Sequence, residues 1–179
     1  MVDITEISAV VAAVGVLIGV VYYVMDLRHQ AKIRKTDLLM RLWTLGNTDE
    51  MWDALKKVTK IQVKDYEDYV AKYGSMMLSD DPVNKALQKV YGFYAMLGNL
   101  AYKKLIDIDS LYHFTGSDYP RMLYEKLKPI TMGLRRDLSE PFLMSDFEYL
   151  CSELTRIEPQ IMDEFKKREQ KIQGGVNIG

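Results

Sequence analysis

Cysteine is almost missing from this chain of 179 residues, since Cys151 stands alone. That excludes an internal disulfide framework and any cysteine-rich zinc site. Histidine is nearly as scarce, with His29 and His113 only, too few for a histidine-built metal centre. Net charge is close to nil: 24 Lys/Arg face 25 Asp/Glu, which gives no electrostatic basis for a nucleic-acid partner. No Walker-type run occurs, and no Gly-x-Gly-x-x-Gly opens a helix, so the usual phosphate cradles are absent. Low-complexity linkers and internal repeats are also missing. What remains is a length suited to one ordinary domain plus an appendage, with 48% hydrophobic and 27% charged residues, as folded chains have.

One segment departs from these averages. Ile7 to Met25 is a run of nineteen residues without a charge. As a helix it spans about 28 Å, close to a bilayer's hydrocarbon core. The residues before it include Asp3 and Glu6 and no Lys or Arg, and its exit offers no small-residue cleavage site, so it does not read as a secretory signal. The reading is an uncleaved membrane anchor over residues 1–25. Arg28, Lys32, Arg34 and Lys35 follow against Asp26 alone, and these four are expected to lie against anionic headgroups. Positive flanks stay in the cytoplasm, which puts the N-terminus outside and the body inside, in a single-pass topology. Ser8, Ala12, Gly15 and Gly19 step by four, three and four along one helix face. Small side chains there allow another backbone to come close, whether a second copy or a foreign membrane subunit.

Beyond the anchor the periodicity predicts helices only. Residues 26–45 continue the first helix as a polar collar that regains an apolar stripe at Leu38, Leu42 and Leu45, with Gly46 as its stop. Residues 46–172 read as a helical bundle and 173–179 as a flexible tail. Asn47 with Glu50 resembles a capping box for a helix carrying Met51, Leu55, Val58 and Ile61. A third helix is expected over Val63–Tyr73, ended by Gly74. Asp81 caps a fourth, with Pro82 at its first position. Val83, Leu87, Val90, Tyr94, Leu97, Ala101 and Leu105 make one continuous stripe, and Phe93, Met96 and Leu100 add a second apolar side. That marks the central helix. A short helix capped by Asp109 and stopped by Gly116 comes next. The long helix from Tyr119 to Leu138 should kink at Pro129, or break just before it. Ser145 and Glu148 form a capping-box pair for the last helix, whose inward residues run through Phe147, Leu150, Leu154, Ile157, Ile161 and Phe165. The fold class is all-α, a helical bundle behind one N-terminal transmembrane helix.

The segments Leu38-Leu39 with Leu42, Val90-Tyr-Gly-Phe-Tyr94 running into Leu105-Ile-Asp107, Leu134-Arg-Arg-Asp137, and Phe147-Glu-Tyr-Leu150 carry a resemblance over nearly the whole chain. It resembles a widespread prokaryotic family of membrane-anchored helical proteins known only as a domain of unknown function. The resemblance implies the architecture and no activity, cofactor or substrate.

The chain carries few residues in patterns that chemistry requires. Asp26 lies three residues before His29 at the membrane exit, and Ser110 three before His113, so no pair of Glu-x-x-His motifs exists for a di-metal bundle. Cys151 falls on an inward face as a structural thiol, and His113 reads as a helix-end histidine. The carboxylate pairs Asp80-Asp81, Asp107/Asp109 and Glu67-Asp68 have capping or solvated-face explanations. No catalytic, cofactor-binding or metal-binding residue is assigned, and no cofactor is expected. Twelve tyrosines and two tryptophans, with the apolar triplet Met76-Met77-Leu78 in a loop, point towards contact with partners. The expectation is a membrane-anchored, non-catalytic accessory or scaffold subunit, with membrane lipid, a protein complex or itself as partners and no nucleic acid. The alternative is an enzyme or ligand sensor with a pocket between the helices near Tyr94, His113 and Cys151.

Overall fold

The computed structural model describes residues 13–116 and 118–172 in full and, for 4–12 and 173–176, the helical backbone. The described residues form seven α-helices and no strand: α1 Ile4–Gly46, α2 Asp49–Thr59, α3 Tyr66–Tyr73, α4 Pro82–Tyr102, α5 Ile108–Thr115, α6 Asp118–Asp137 and α7 Ser145–Val176. The chain divides into two compact units, Met1–Leu42 and Trp43–Gly179.

The first unit is α1 up to Leu42. Its polar half is supported by pairs one turn apart: Gln30 Nε2 donates to Asp26 at 2.8 Å and Arg41 Nε to Asp37 at 2.9 Å. Its apolar half corrects the sequence reading. Among the described residues no helix is long and apolar enough to cross a membrane. The described uncharged stretch runs from Ala13 to Met25, about 20 Å of helix, before Asp26 and Arg28 interrupt it. Ile7 to Ala12, which would lengthen it, lie outside the residues described in full. The transmembrane anchor, the single-pass topology, the outside N-terminus and the cytoplasmic body are therefore not upheld. The headgroup role of Arg28, Lys32, Arg34 and Lys35 loses its basis with them.

In the second unit α4 is the central helix, packed chiefly on α7 and α2, while α3 lies on α6, and α5 and α6 also meet α7. Val90, Tyr91, Tyr94 and Leu97 of α4 are buried, with Phe147, Leu150 and Leu154 of α7 and Leu123, Leu127, Ile130 and Leu134 of α6. Tyr94 stacks on Phe147 with ring centroids 4.7 Å apart, and Tyr124 meets the same ring edge-on at 5.2 Å. Two glycines set the helix separations. A Cβ on Gly98 would fall on the backbone carbonyl of Asp146, and one on Gly133 on the Cβ and ring of Tyr66. Both positions sit where helices touch, so any side chain would push them apart.

Two buried polar pairs link the helices. The Tyr91 hydroxyl pairs with Thr131 Oγ1 at 2.7 Å, and Thr131 in turn donates to the Leu127 carbonyl at 3.2 Å. Asn84 is wholly buried; it accepts from the Tyr69 hydroxyl and donates through Nδ2 to the Tyr73 carbonyl at 2.8 Å. This fixes the start of the loop between α3 and α4. Arg135 holds the α6–α7 connection, donating to the Leu143 carbonyl and to the Glu148 carboxylate, each at 2.9 Å.

Several local expectations shift by a few residues. Thr48, not Asn47, caps α2, its Oγ1 accepting from the Met51 N–H at 3.1 Å, while Asn47 turns back to the Trp43 carbonyl at the end of α1. α3 starts at Tyr66 because Asp65 accepts from the Asp68 N–H at 2.8 Å. Asp81 caps α4 as expected, accepting from the Val83 N–H at 2.7 Å. α4 ends at Tyr102, and the positive φ of Lys104 turns the chain, so Leu105 leaves the stripe and is half exposed, while Ile106 takes the buried place. The N-cap of α5 is Asp107 rather than Asp109. Gly74 and Gly116 end α3 and α5 at φ 75° and 72°, a conformation that costs glycine nothing. α6 runs unbroken through Pro129. Glu148 does not close a capping box with Ser145, because its carboxylate is taken by Arg135. Leu138 and Phe165, expected inward, are exposed.

Candidate functional site

Two surfaces stand out, one in each unit. In the first, the apolar half of α1 has no cover. Val16, Leu17 and Ile18 are 66%, 64% and 65% exposed. Three successive helical residues point about 100° apart, so the exposure runs around the whole circumference. Tyr22, Tyr23 and Met25 continue it. A Cβ built on Gly15 or Gly19 meets nothing within 4 Å, so the part of the small-residue face that is described stands open. The side chains of Ser8 and Ala12, the other two members of that face, lie outside the described residues.

The second surface is a pocket of about 310 Å³ in the helical unit, between the end of α1, α2, α4, α5 and the start of α6. Met51, Leu55 and Tyr94 form its buried floor, and Phe93, Phe114 and Tyr119 its half-buried walls. Trp43 and Trp52, the chain's two tryptophans, stand at its mouth, 51% and 50% exposed. Trp43 meets Phe114 edge-on, with centroids 5.7 Å apart. The helix break at Gly46 builds this mouth: it ends α1 and starts α2 a few residues on, which brings Trp43 and Trp52 to the same opening. A Cβ on Gly46 would come within 3.0 Å of the Phe93 ring tip and 3.5 Å of that of Phe114. No charged side chain lines the pocket. Of its aromatic members, sequence reasoning reached Phe93 as a helix face and Tyr94 as a member of a pocket between the helices, there with His113 and Cys151, which do not line this one. Two tryptophans flanking a glycine helix stop were the available signal for the rest.

The residues weighed for chemistry are not brought together as a site. Cys151 is buried and its thiol is pushed up to about 12, chiefly by loss of water, so it carries no thiolate at neutral pH. Its Sγ lies 3.6 Å from the Pro120 carbonyl. Tyr94 is close enough to Cys151 for an electrostatic effect, and burial raises its hydroxyl further above the ordinary tyrosine value. His113 is elsewhere, 3.8 Å from Asp109 on the surface of α5 and edge-on to Phe165. Among the described residues no group of three His, Cys, Asp or Glu is arranged to hold a metal. The apolar triplet divides: Met76 is buried, whereas Met77 is exposed and Leu78 is 89% exposed at the loop tip.

Comparison with known proteins yields a family and no activity. No curated protein and no solved structure matches the chain. The family match covers residues 9–154, which takes in most of both units. The chain belongs to the family described as a domain of unknown function, DUF4760.

Proposed function

We propose that this chain is a non-catalytic assembly protein, whose apolar segment of α1 packs against a helix of another chain while the bundle behind it acts as a docking body. The observation that carries this reading is the exposure of Val14 to Leu27 around the full circumference of α1. Contiguous apolar surface of that extent marks an association site on a folded protein. The open sides of Gly15 and Gly19 support close helix–helix approach. A second copy and a foreign subunit both satisfy the reading, since each supplies an apolar helix. Met77 and Leu78 offer the bundle a smaller contact of its own.

The test is capture of the tagged full chain in mild detergent at native expression levels, followed by native mass spectrometry. The expected result is a stoichiometric complex, with itself or with one partner, that Ile18→Glu together with Val21→Glu dissolves while the bundle keeps its melting behaviour. A monomer without partners overturns the proposal.

A further inference from the structure

The aromatic pocket lies outside that reading and carries one of its own. Its volume of about 310 Å³ reaches the range of small-molecule sites. Its floor is sealed and its mouth is open, so it is a recess and not a seam between surface side chains. An ionised ligand would lose its hydration there without meeting an opposite charge, because the lining holds none. Its polar lining residues are Asn47, Thr115, Tyr119 and Tyr94, of which Asn47 and Thr115 already donate to the Trp43 and Leu111 carbonyls. Tyr94 is 4% exposed, and no described residue hydrogen-bonds to its hydroxyl. Unlike the Tyr124 hydroxyl, which is fully enclosed and unpaired, that of Tyr94 keeps some access. Burial holds it as a neutral O–H, a donor in want of an acceptor.

We propose that this pocket is a binding site for a neutral, flat ring system carrying one hydrogen-bond acceptor, with its rings held by Trp43, Trp52 and Phe93 and its acceptor on the Tyr94 hydroxyl. Size, lining and the unpartnered donor each limit the ligand in a different way. The volume fixes a body of about two fused rings. The uncharged aromatic lining selects neutral and apolar matter. The hydroxyl selects a carbonyl-like atom at the inner end.

The full-length protein is titrated with 2-acetylnaphthalene, read by tryptophan fluorescence and by calorimetry. Both tryptophans stand at the mouth, so all of the chain's tryptophan emission reports on this pocket. The expected result is saturable one-to-one binding with a change in emission. Naphthalene-2-carboxylate, with the same rings and a charge, should bind at least about tenfold more weakly. Tyr94→Phe should weaken the ketone about fivefold, the worth of one ordinary hydrogen bond, and leave plain naphthalene unchanged. Gly46→Leu should abolish binding of both, since its helical backbone accepts a side chain that then fills the mouth. Trp52→Ala, at a half-exposed position, should weaken both without disturbing the fold. Non-saturable binding overturns the proposal. So does binding undiminished in both Gly46→Leu and Trp52→Ala, which would place the ligand on α1 instead. A preference for the carboxylate or for tetramethylammonium would also overturn it.

Discussion

The first half of α1 and the whole of α4 are built from the same kind of residue and meet opposite fates. Val90, Tyr91, Tyr94 and Leu97 of α4 are shut away from water, while Val16, Leu17, Val20 and Val21 of α1 stand in it. The difference lies in pattern. α4 keeps Lys85, Gln88 and Lys89 exposed among its apolar positions, so it has defined faces, and Gly98 lets α7 come against one of them. Ala13 to Met25 has no polar face at all, so nothing in its own sequence says which side a neighbour should take. Apolarity creates the demand for cover; periodicity and small residues decide what meets it.

Gly98 is where the packing of α4 tolerates least. Gly98→Ala drives a methyl into the Asp146 carbonyl and should cost at least about 3 kcal/mol, read as a lower urea midpoint. The equivalent change at Gly15, where a Cβ meets nothing, should leave the bundle's midpoint alone. A truncation pair sharpens the contrast. Leu97→Ala opens a cavity in the core and should cost about 3 kcal/mol, against less than about 0.5 kcal/mol for Leu17→Ala. If the two are equal in thermal melts of the full chain, α1 is as well covered as α4 and the contrast is void. Tyr91→Phe removes the link from α4 to Thr131 on α6 and should cost about 1 kcal/mol by chemical denaturation.

The smallest effect is electrostatic. The Arg135 hydrogen bond lowers the Glu148 carboxyl below its ordinary value. The folded value lies under the unfolded one, near 4.3, so this contribution is present above that pH and is lost as pH falls through the folded value. Glu148 is about half exposed, so solvent screens the pair and only a fraction of a kcal/mol is expected. Glu148→Gln should flatten that acid limb in a series of melts from pH 6 to pH 3, with little effect on the neutral plateau.

The helices were legible because their stripes are strong: Leu87 to Ala101 and Leu123 to Leu134 came through with their inward faces, while Val83 at the start of α4 is only half-buried. Ends were less legible. Thr48 displaced Asn47, and Arg135 drew Glu148 from its cap, because those outcomes depend on partners distant in the chain. The nineteen-residue run read as a membrane span, yet no described helix qualifies as one. Of the pocket only Tyr94 was reached, in the expected site between the helices, and there beside His113 and Cys151, which do not line it. Its aromatic residues come from five helices, and no spacing along the chain says that α1, α2, α4, α5 and α6 share one opening.

The Asn84 amide has a practical consequence. By holding the Tyr73 carbonyl and the Tyr69 hydroxyl, it clamps the base of the loop whose tip carries Met77 and Leu78. A clamped base isolates the tip from the helices it joins, as a hinge-pin isolates a handle from the door. A short peptide tag or a fluorescent label grafted between Met77 and Leu78 should therefore report on the bundle's neighbours without altering how the bundle folds.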